Sequence, residues 1–428
     1  MGKIVGNHRN SISYSIMKDT ELYSKILGIN DPWYVENVEI GILEQTIKVY
    51  LEHDNKASWT CTECGNAAPV YDHREQREWR HLDSCQLKTY LVASLPRIDC
   101  REHGIHTAKT PWSEPNSRFT LMFETFAIHI LQAVKVQVTA AHLLRLSENQ
   151  IHDIMHRAVS RGMKERTDKE TINHLSVDEK SFQKGHKYIT VLGDPGNKRI
   201  IDVAESRTQE AVESLLRNGL SKKQQQEVRA VSMDMWKAFM NARKTILPNA
   251  DTVHDRFHIS KYLSDAVDKT RKSENQELLK QGDATLKSTK YIWLRSPENM
   301  TTKQMSALES LSGLEIETSK VWMFKESFRH FFACNDIESA TEFFRNWYDA
   351  ATTLGNKHLT QTAKMLADHI NGLLAYIKHK ITNSYAESIN SLIQLLKANS
   401  RGFRKFENFR IAILFHFGKL KLYPQEIP

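Results

Sequence analysis

Between His174 and Val203 the chain alternates apolar and polar residues three times over, and this run limits the available folds more than any other stretch. Leu175 and Val177 alternate with polar neighbours ahead of Asp178. Residues 187–192 (KYITVL) repeat the pattern up to the turn cluster Gly193, Asp194, Pro195, Gly196 and Asn197, and residues 199–203 (RIIDV) supply a third strand. Three strands with short connections make an antiparallel meander, and the first carries a carboxylate, Asp178, to its end. A lone acid there is ordinarily a solvated surface group, so Asp178 by itself assigns no chemistry. Residues 209–220 read as an amphipathic helix. Residues 227–233 (EVRAVSM) read as a fourth strand that again ends in an acid, Asp234, before Trp236 and a helix towards Leu247. Residues 251–254 form a short fifth strand. From Asp255-Arg256-Phe257-His258 to about His379 the signals are helical, after which Ile389, Leu392, Ile393 and Leu396 form an apolar stripe that leaves Glu387 in the first turns of its helix, turned from the buried face.

Strand, strand, strand, helix, strand, helix, strand, helical insertion, helix is the order of a ribonuclease H-like core. Its first and fourth strands are neighbours, so Asp178 and Asp234 should stand side by side, with Glu387 brought to them by the closing helix. Three carboxylates repel one another unless cations lie between them. Two magnesium ions about 3.5 to 4 Å apart would do this and would serve phosphodiester chemistry. Oxygen ligands suit such hard cations.

Upstream, Cys61-Thr-Glu-Cys64-Gly65 is a knuckle whose two thiolates can face one metal, and Cys100-Arg-Glu-His103 repeats the spacing. Cys61, Cys64, Cys100 and His103 therefore read as a zinc set, with His106, His81 and Cys85 as alternative fourth ligands. Helical periodicity covers residues 119–132, 138–144 and 147–161, the last opened by a capping-box pattern at Ser147 and Gln150. The short pair of helices resembles a helix-turn-helix, which would place Gln150, Asp153, Arg157 and Arg161 on or near the exposed face of its second helix for contact with DNA. From Lys380 onward eight Lys or Arg stand against three acids, with Phe403, Phe406 and Phe409 among them, and Arg401, Arg404, Lys405 and Arg410 could hold phosphates.

At 428 residues the chain should form two to four domains, and 40% hydrophobic content indicates folded protein. The formal charge of +8 suits a polyanion partner. Five cysteines, with Cys334 isolated, suit a reduced compartment, and no 18-residue apolar run or secretory start is present, so a soluble cytoplasmic protein is expected.

The strings HLSVDEKSFQKGHKYITVLGD, SMDMWKAF, DRFH, TNSYAESINSLIQ and RGFRKFENFR, with PRIDCREHG and PWSEPNSRFT upstream, resemble transposases of the ISL-three group of bacterial insertion sequences over nearly the whole chain. The resemblance implies a DDE transposase with Asp178, Asp234 and Glu387 as its metal-binding triad, and Asp255 and His258 as an acid-x-x-His signature after the fifth strand. It implies a multidomain α+β/α protein: residues 1–50 of open role, a zinc ribbon over 51–112, a helix-turn-helix domain over 113–172, a ribonuclease H-like core over 173–257, a helical insertion over 258–379, and a closing helix with a basic tail over 380–428. The expected activity is nicking and strand transfer at terminal inverted repeats, with magnesium or manganese in the core, structural zinc in the ribbon, double-stranded DNA as partner and target, and a homodimer or larger assembly on DNA. A non-catalytic DNA-binding regulator would need no triad, and a ribonuclease H-like nuclease would need no separate docking modules.

Overall fold

The computed structural model describes residues 17–166, 170–183, 187–381, 384–400 and 402–425. These fall into two compact units that meet in sequence at Arg161 and Gly162, the first taking back the chain from Leu422.

In the first unit the helix Asp19–Leu27 stops at Gly28, which is left-handed, and strands Trp33–Gly41 and Thr46–His53 follow. Thr46–His53 buries every second residue, Ile47, Val49 and Leu51 among them. It pairs antiparallel with Trp33–Gly41 and parallel with Lys88–Ala93, whose far edge takes Arg77–Arg80. The expected boundary at residue 50 therefore cuts through a strand. Val49 and Leu51 are buried in one core with Trp79 and Leu91, so the first described residues are part of the fold that carries the cysteines. A three-stranded sheet (Val70–His73, Pro96–Cys100, Gly104–Thr107) and a two-stranded pair (Trp59–Thr60, Ala67–Ala68) hold the two knuckles.

Helices Leu121–Val134, Gln137–Leu144 and Glu148–Lys164 come next. The first starts at Thr120, whose Oγ1 accepts the Phe123 N–H at 3.2 Å. The capping box expected before the third is formed: Ser147 Oγ accepts the Gln150 N–H at 3.3 Å, and Gln150 Oε1 accepts the Ser147 N–H at 2.9 Å.

The second unit is built on a five-stranded sheet of His174–Gln183, Lys187–Asp194, Arg199–Ala204, Ala230–Met233 and Asp251–His254. In chain order of the strands, the spatial order is third, second, first, fourth, fifth. The first three are antiparallel neighbours, and the first, fourth and fifth are parallel. The fourth strand begins at Ala230 rather than Glu227, because Ser221 and Gln224 form a capping box that starts a short helix, Lys222–Glu227. One sheet face buries Leu175, Val177, Leu192 and Met233 with Val212, Leu216 and Phe239, residues of helices Gln209–Gly219 and Lys237–Ile246. The closing helix Ser384–Asn399 meets the first strand, and helix Phe406–Phe417 packs on the third. That last helix occupies what the sequence presents as a basic tail. Its Phe409 is buried and stacks on Phe182, with ring centroids 5.3 Å apart, so the aromatics serve packing.

The insertion is helical as expected. It opens with Arg256–Lys280 and runs through to Ile370–His379 around Trp293, Phe328, Phe331 and Trp347. Among the described residues no helix is long and apolar enough to cross a membrane.

Candidate active site and metal centre

The register of the first and fourth strands places the two aspartates. Ser176 pairs with Ser232 across the parallel ladder, so Asp178, two residues further along the first strand, and Asp234, just past the end of the fourth, each follow a matched residue by two positions. Val177 and Met233 point into the core under the two flanking helices. Asp178 is the more enclosed. Around it lie Ser176, Val191, Gly193 and, from the closing helix, Tyr385, Ala386, Ile389 and Asn390. Burial raises its pKa above the usual carboxylate value, against the pull of the Glu179 N–H and the Asn390 amide, both of which donate to it. Gly193 lets the closing helix come near: a Cβ there would lie 2.5 Å from Ser176 Oγ and 3.7 Å from Tyr385 Cε1.

Asp234 caps its own turn by accepting the Met235 N–H at 2.7 Å. His258 Nδ1 is 3.4 Å from its Oδ2, and His258 Nε2 is 3.9 Å from Asp255 Oδ2. Asp255 starts the long insertion helix, accepting the Phe257 N–H at 3.1 Å, so His258 lies in the first turn and reaches back over the strand ends. One turn later Tyr262 also meets Asp234, and burial followed by that carboxylate raises its pKa. The acid-x-x-His pair is thus gathered at the aspartates.

Glu387 is exposed on the closing helix, one turn before Asn390. The three carboxylates do not close to ligand distance. Among the described residues the one set of three or more Cys, His, Asp or Glu with all ligand atoms within 4.8 Å of one another is Cys61, Cys64, Cys100 and His103. Asn390 and Tyr262 were not singled out from sequence. The available signal was helical spacing, since 387 and 390, like 258 and 262, share a helix face.

At the knuckles Cys64 Sγ is 3.7 Å from Cys100 Sγ, and His103 Nδ1 is 3.7 Å from Cys61 Sγ and 3.6 Å from Cys100 Sγ. A tetrahedral zinc ion with its usual bond lengths requires edges of about 3.6 to 3.8 Å between such ligands. The donor set fits zinc. Gly65 and Gly104, each directly after the second ligand of its knuckle, have φ of 73° and 68°, which turns the chain back under the metal position. Backbone N–H groups, chiefly of Cys64 and His103, lower the thiol pKa values of Cys61 and Cys100 and favour the thiolates a metal needs. The alternative fourth ligands lie elsewhere: His106 Nδ1 bonds the Gly104 carbonyl, His81 is buried on Thr120, and Cys85 is exposed.

The expected DNA-contact residues divide. Gln150 is exposed, although its side chain is engaged in the capping box, and Asp153 is exposed on the same helix. Arg157 and Arg161 do not lie free on that face as expected. Arg157 donates to Glu124 at 2.9 and 3.1 Å, and Arg161 donates to Glu124 at 2.7 Å and to both oxygens of Glu114 at 2.7 Å. A buried carboxylate on the helix Leu121–Val134, Glu124, draws both inward. Arg410 likewise grips Asp202 on the third strand at 2.7 and 2.9 Å. Arg404 and Lys405 are exposed, and Arg401 lies outside the described residues.

Comparison with known proteins accounts for all three segments. Residues 57–103 match a family described as the zinc-finger of transposases IS204/IS1001/IS1096/IS1165, and residues 108–159 match the helix-turn-helix domain of transposase family ISL3. Residues 175–413, more than half the chain, match that family's transposase domain. The transposase for insertion sequence element IS1001 of Bordetella parapertussis is 25% identical over 375 residues, covering 86% of this chain and 91% of that protein. The transposase for insertion sequence element IS1557 of Mycobacterium tuberculosis is 22% identical over 417 residues, covering 91% of this chain and 93% of its own length. With a cysteine and histidine knuckle pair, a helix-turn-helix segment and a carboxylate-bearing sheet in that order, the chain belongs to the ISL3 family of insertion-sequence transposases.

Proposed function

We propose that this transposase nicks and joins DNA at the terminal inverted repeats of its element, using a DDE triad of Asp178, Asp234 and Glu387 on a ribonuclease H-like core. The observation that carries the reading is the register of adjacent parallel strands, in which Asp178 and Asp234 each lie two residues beyond the matched pair Ser176 and Ser232. The third–second–first–fourth–fifth strand order supports the fold assignment. Hard carboxylate oxygens fit magnesium, or manganese in its place, and a buried Asp178 whose charge is disfavoured by its surroundings gains most from a cation. When bound, a pair of such ions activates the attacking oxygen and stabilises the leaving 3′ oxygen of a phosphodiester.

The chain's own groups hold the acids in place. The Asn390 amide restrains Asp178, His258 and Tyr262 flank Asp234, and Glu387 approaches from the helix that carries Asn390. Water and then a 3′-hydroxyl act as nucleophiles, with no covalent protein intermediate. Structural zinc on Cys61, Cys64, Cys100 and His103 orders the ribbon, which with the helix-turn-helix helix, Gln150 included, docks on the repeat. Arg404 and Lys405 contact phosphates near the closing helix. Two or more copies act together on paired ends, in the cytoplasm of a bacterium.

The test is cleavage of labelled element ends with magnesium. Asp178→Asn, Asp234→Asn and Glu387→Gln should each lower cleavage by orders of magnitude with end affinity nearly unchanged. Near-normal cleavage by any one of them removes that residue from the site.

A further inference from the structure

Met233 and His254 are register partners at the ends of the fourth and fifth strands, and the chain continues in parallel terms from each. Asp234-Met235-Trp236 follows one and Asp255-Arg256-Phe257 the other, so an aromatic ring stands two residues beyond each aspartate. Trp236 is 45% exposed and Phe257 57% exposed. A single exposed aromatic needs no explanation. Two at equivalent positions, each beside an acid of the candidate active site, ask for one.

Trp236 is also held in place. The Arg207 guanidinium lies 4.9 Å from its ring centroid and 4.3 Å from that of Tyr188, and Arg207 Nη1 pairs with Glu179, next to Asp178, at 3.0 Å. The Trp236 carbonyl accepts the Phe239 N–H at 3.0 Å and the Met240 N–H at 3.2 Å as the helix Lys237–Ile246 begins. Phe257 sits in the first turn of its own helix, where its N–H is bound by Asp255. A ring fixed before the ligand arrives loses little freedom on contact.

From this arrangement we infer that Trp236, with Phe257 at the equivalent position after the neighbouring strand, is a stacking platform for an unpaired nucleobase of the strand being cut, so that the DNA end is splayed where it meets Asp178 and Asp234. The inference rests on the proposed active site. Phosphates are the business of the carboxylates and their cations, whereas a ring face takes a flat group of low charge, and on a DNA substrate that group is the base. Inside a duplex both faces of a base are covered by its neighbours, so only an unstacked base can meet the ring. Such stacking accepts any base, which leaves sequence reading to the first unit.

The test uses the full-length protein in calcium, where ends are bound without being cut, and duplex ends carrying an abasic site moved one nucleotide at a time across the scissile phosphate. On intact ends Trp236→Ala should bind roughly 5- to 150-fold more weakly, the range for losing one base–aromatic stack. Trp236→Phe should bind close to wild type. At one abasic position the difference between wild type and Trp236→Ala should vanish, because the base that met the ring is gone. Equal binding by Trp236→Ala on intact ends, a defect in Trp236→Phe as large as in Trp236→Ala, or a defect that persists at every abasic position would each overturn the platform. Unchanged end binding with altered self-association of Trp236→Ala would assign the ring to a contact between copies and overturn it as well. Cleavage in magnesium is followed in parallel: if wild type cuts and Asp178→Asn does not while the abasic scan is flat, the platform fails and the active site stands. If Asp178→Asn cuts, the active-site reading itself fails.

Discussion

Replacing Glu124 by alanine should destabilise the helical part of the first unit by about 3 kcal/mol, and the reason lies in how many donors converge on this carboxylate. Glu124 is 1% exposed. Its Oε2 accepts Arg157 Nε at 3.1 Å, Arg157 Nη2 at 2.9 Å and Ser117 Oγ at 3.5 Å, while Oε1 accepts Arg161 Nη2 at 2.7 Å. Removing one partner of a buried pair costs about 3 to 5 kcal/mol, mostly as the charge left uncompensated. Two features favour the lower end. Arg161 keeps Glu114 and the Leu422 carbonyl, and the Arg157 side chain is 22% exposed and can draw in water. A cycle with Arg157→Ala should give a coupling of about 1 to 3 kcal/mol, because the double variant leaves no unpaired charge at that position. Hydrogen exchange of the amides in Leu121–Val134 and Glu148–Lys164, in the full-length protein, reports the local free energy. A loss under about 1 kcal/mol with additive single effects would refute the reasoning. Arg157 would then be uncommitted, and its guanidinium would return to consideration as a DNA contact.

Two further outcomes are expected. Purified protein should contain one zinc per chain, and Cys100→Ser should release it and remove exchange protection from Trp59–Thr60, Ala67–Ala68 and Gly104–Thr107, while the strands Thr46–His53 and Lys88–Ala93, buried around Val49 and Leu91, keep theirs; a zinc-free wild type with an unchanged variant refutes this. His81 is buried on Thr120, and burial, then Arg80, pushes its pKa down to about 4 from 6.5. The unfolded chain therefore binds the proton first, so its contribution is complete above pH 6.5 and is lost as pH falls towards 4, a loss of about 3 kcal/mol when protonation is complete. Melting of the first unit followed from pH 7 to 4.5 should show that slope, and His81→Asn should flatten it; equal slopes in both proteins refute the assignment.

Much of this molecule was legible along the chain. The meander, the fifth strand at 251–254, the capping box at Ser147 and Gln150 and the helical insertion rest on period, turn residues and caps, all of which act within a few residues. The zinc set was legible for the same reason, since two ligands on each knuckle share a local spacing that the fold needs only to bring together. The fourth strand was read three residues too early, because the apolar residues of EVRAVSM outweighed the capping signal just before them.

Charge partners were not legible. Arg157, Arg161 and Arg410 look like polyanion contacts in a basic sequence, yet each is held by an acid: Glu124 is 33 residues from Arg157, and Asp202 is 208 residues from Arg410. Asn390 reaches Asp178 across 212 residues. A side chain's period and neighbours state which face of an element it occupies, but not which opposite charge the packed partner element brings to that face, and that choice decides whether an arginine is a structural ion pair or a free cation. By itself, then, the sequence determined the elements, the zinc ligands' pairing by knuckle and the strand ends that carry the acids. Only the tertiary structure decided that His103 lies with the three cysteines, that the strands leading to Asp178 and Asp234 pair in register, and that two of the expected DNA-reading arginines are turned inward, because each depends on distances between segments far apart in the chain.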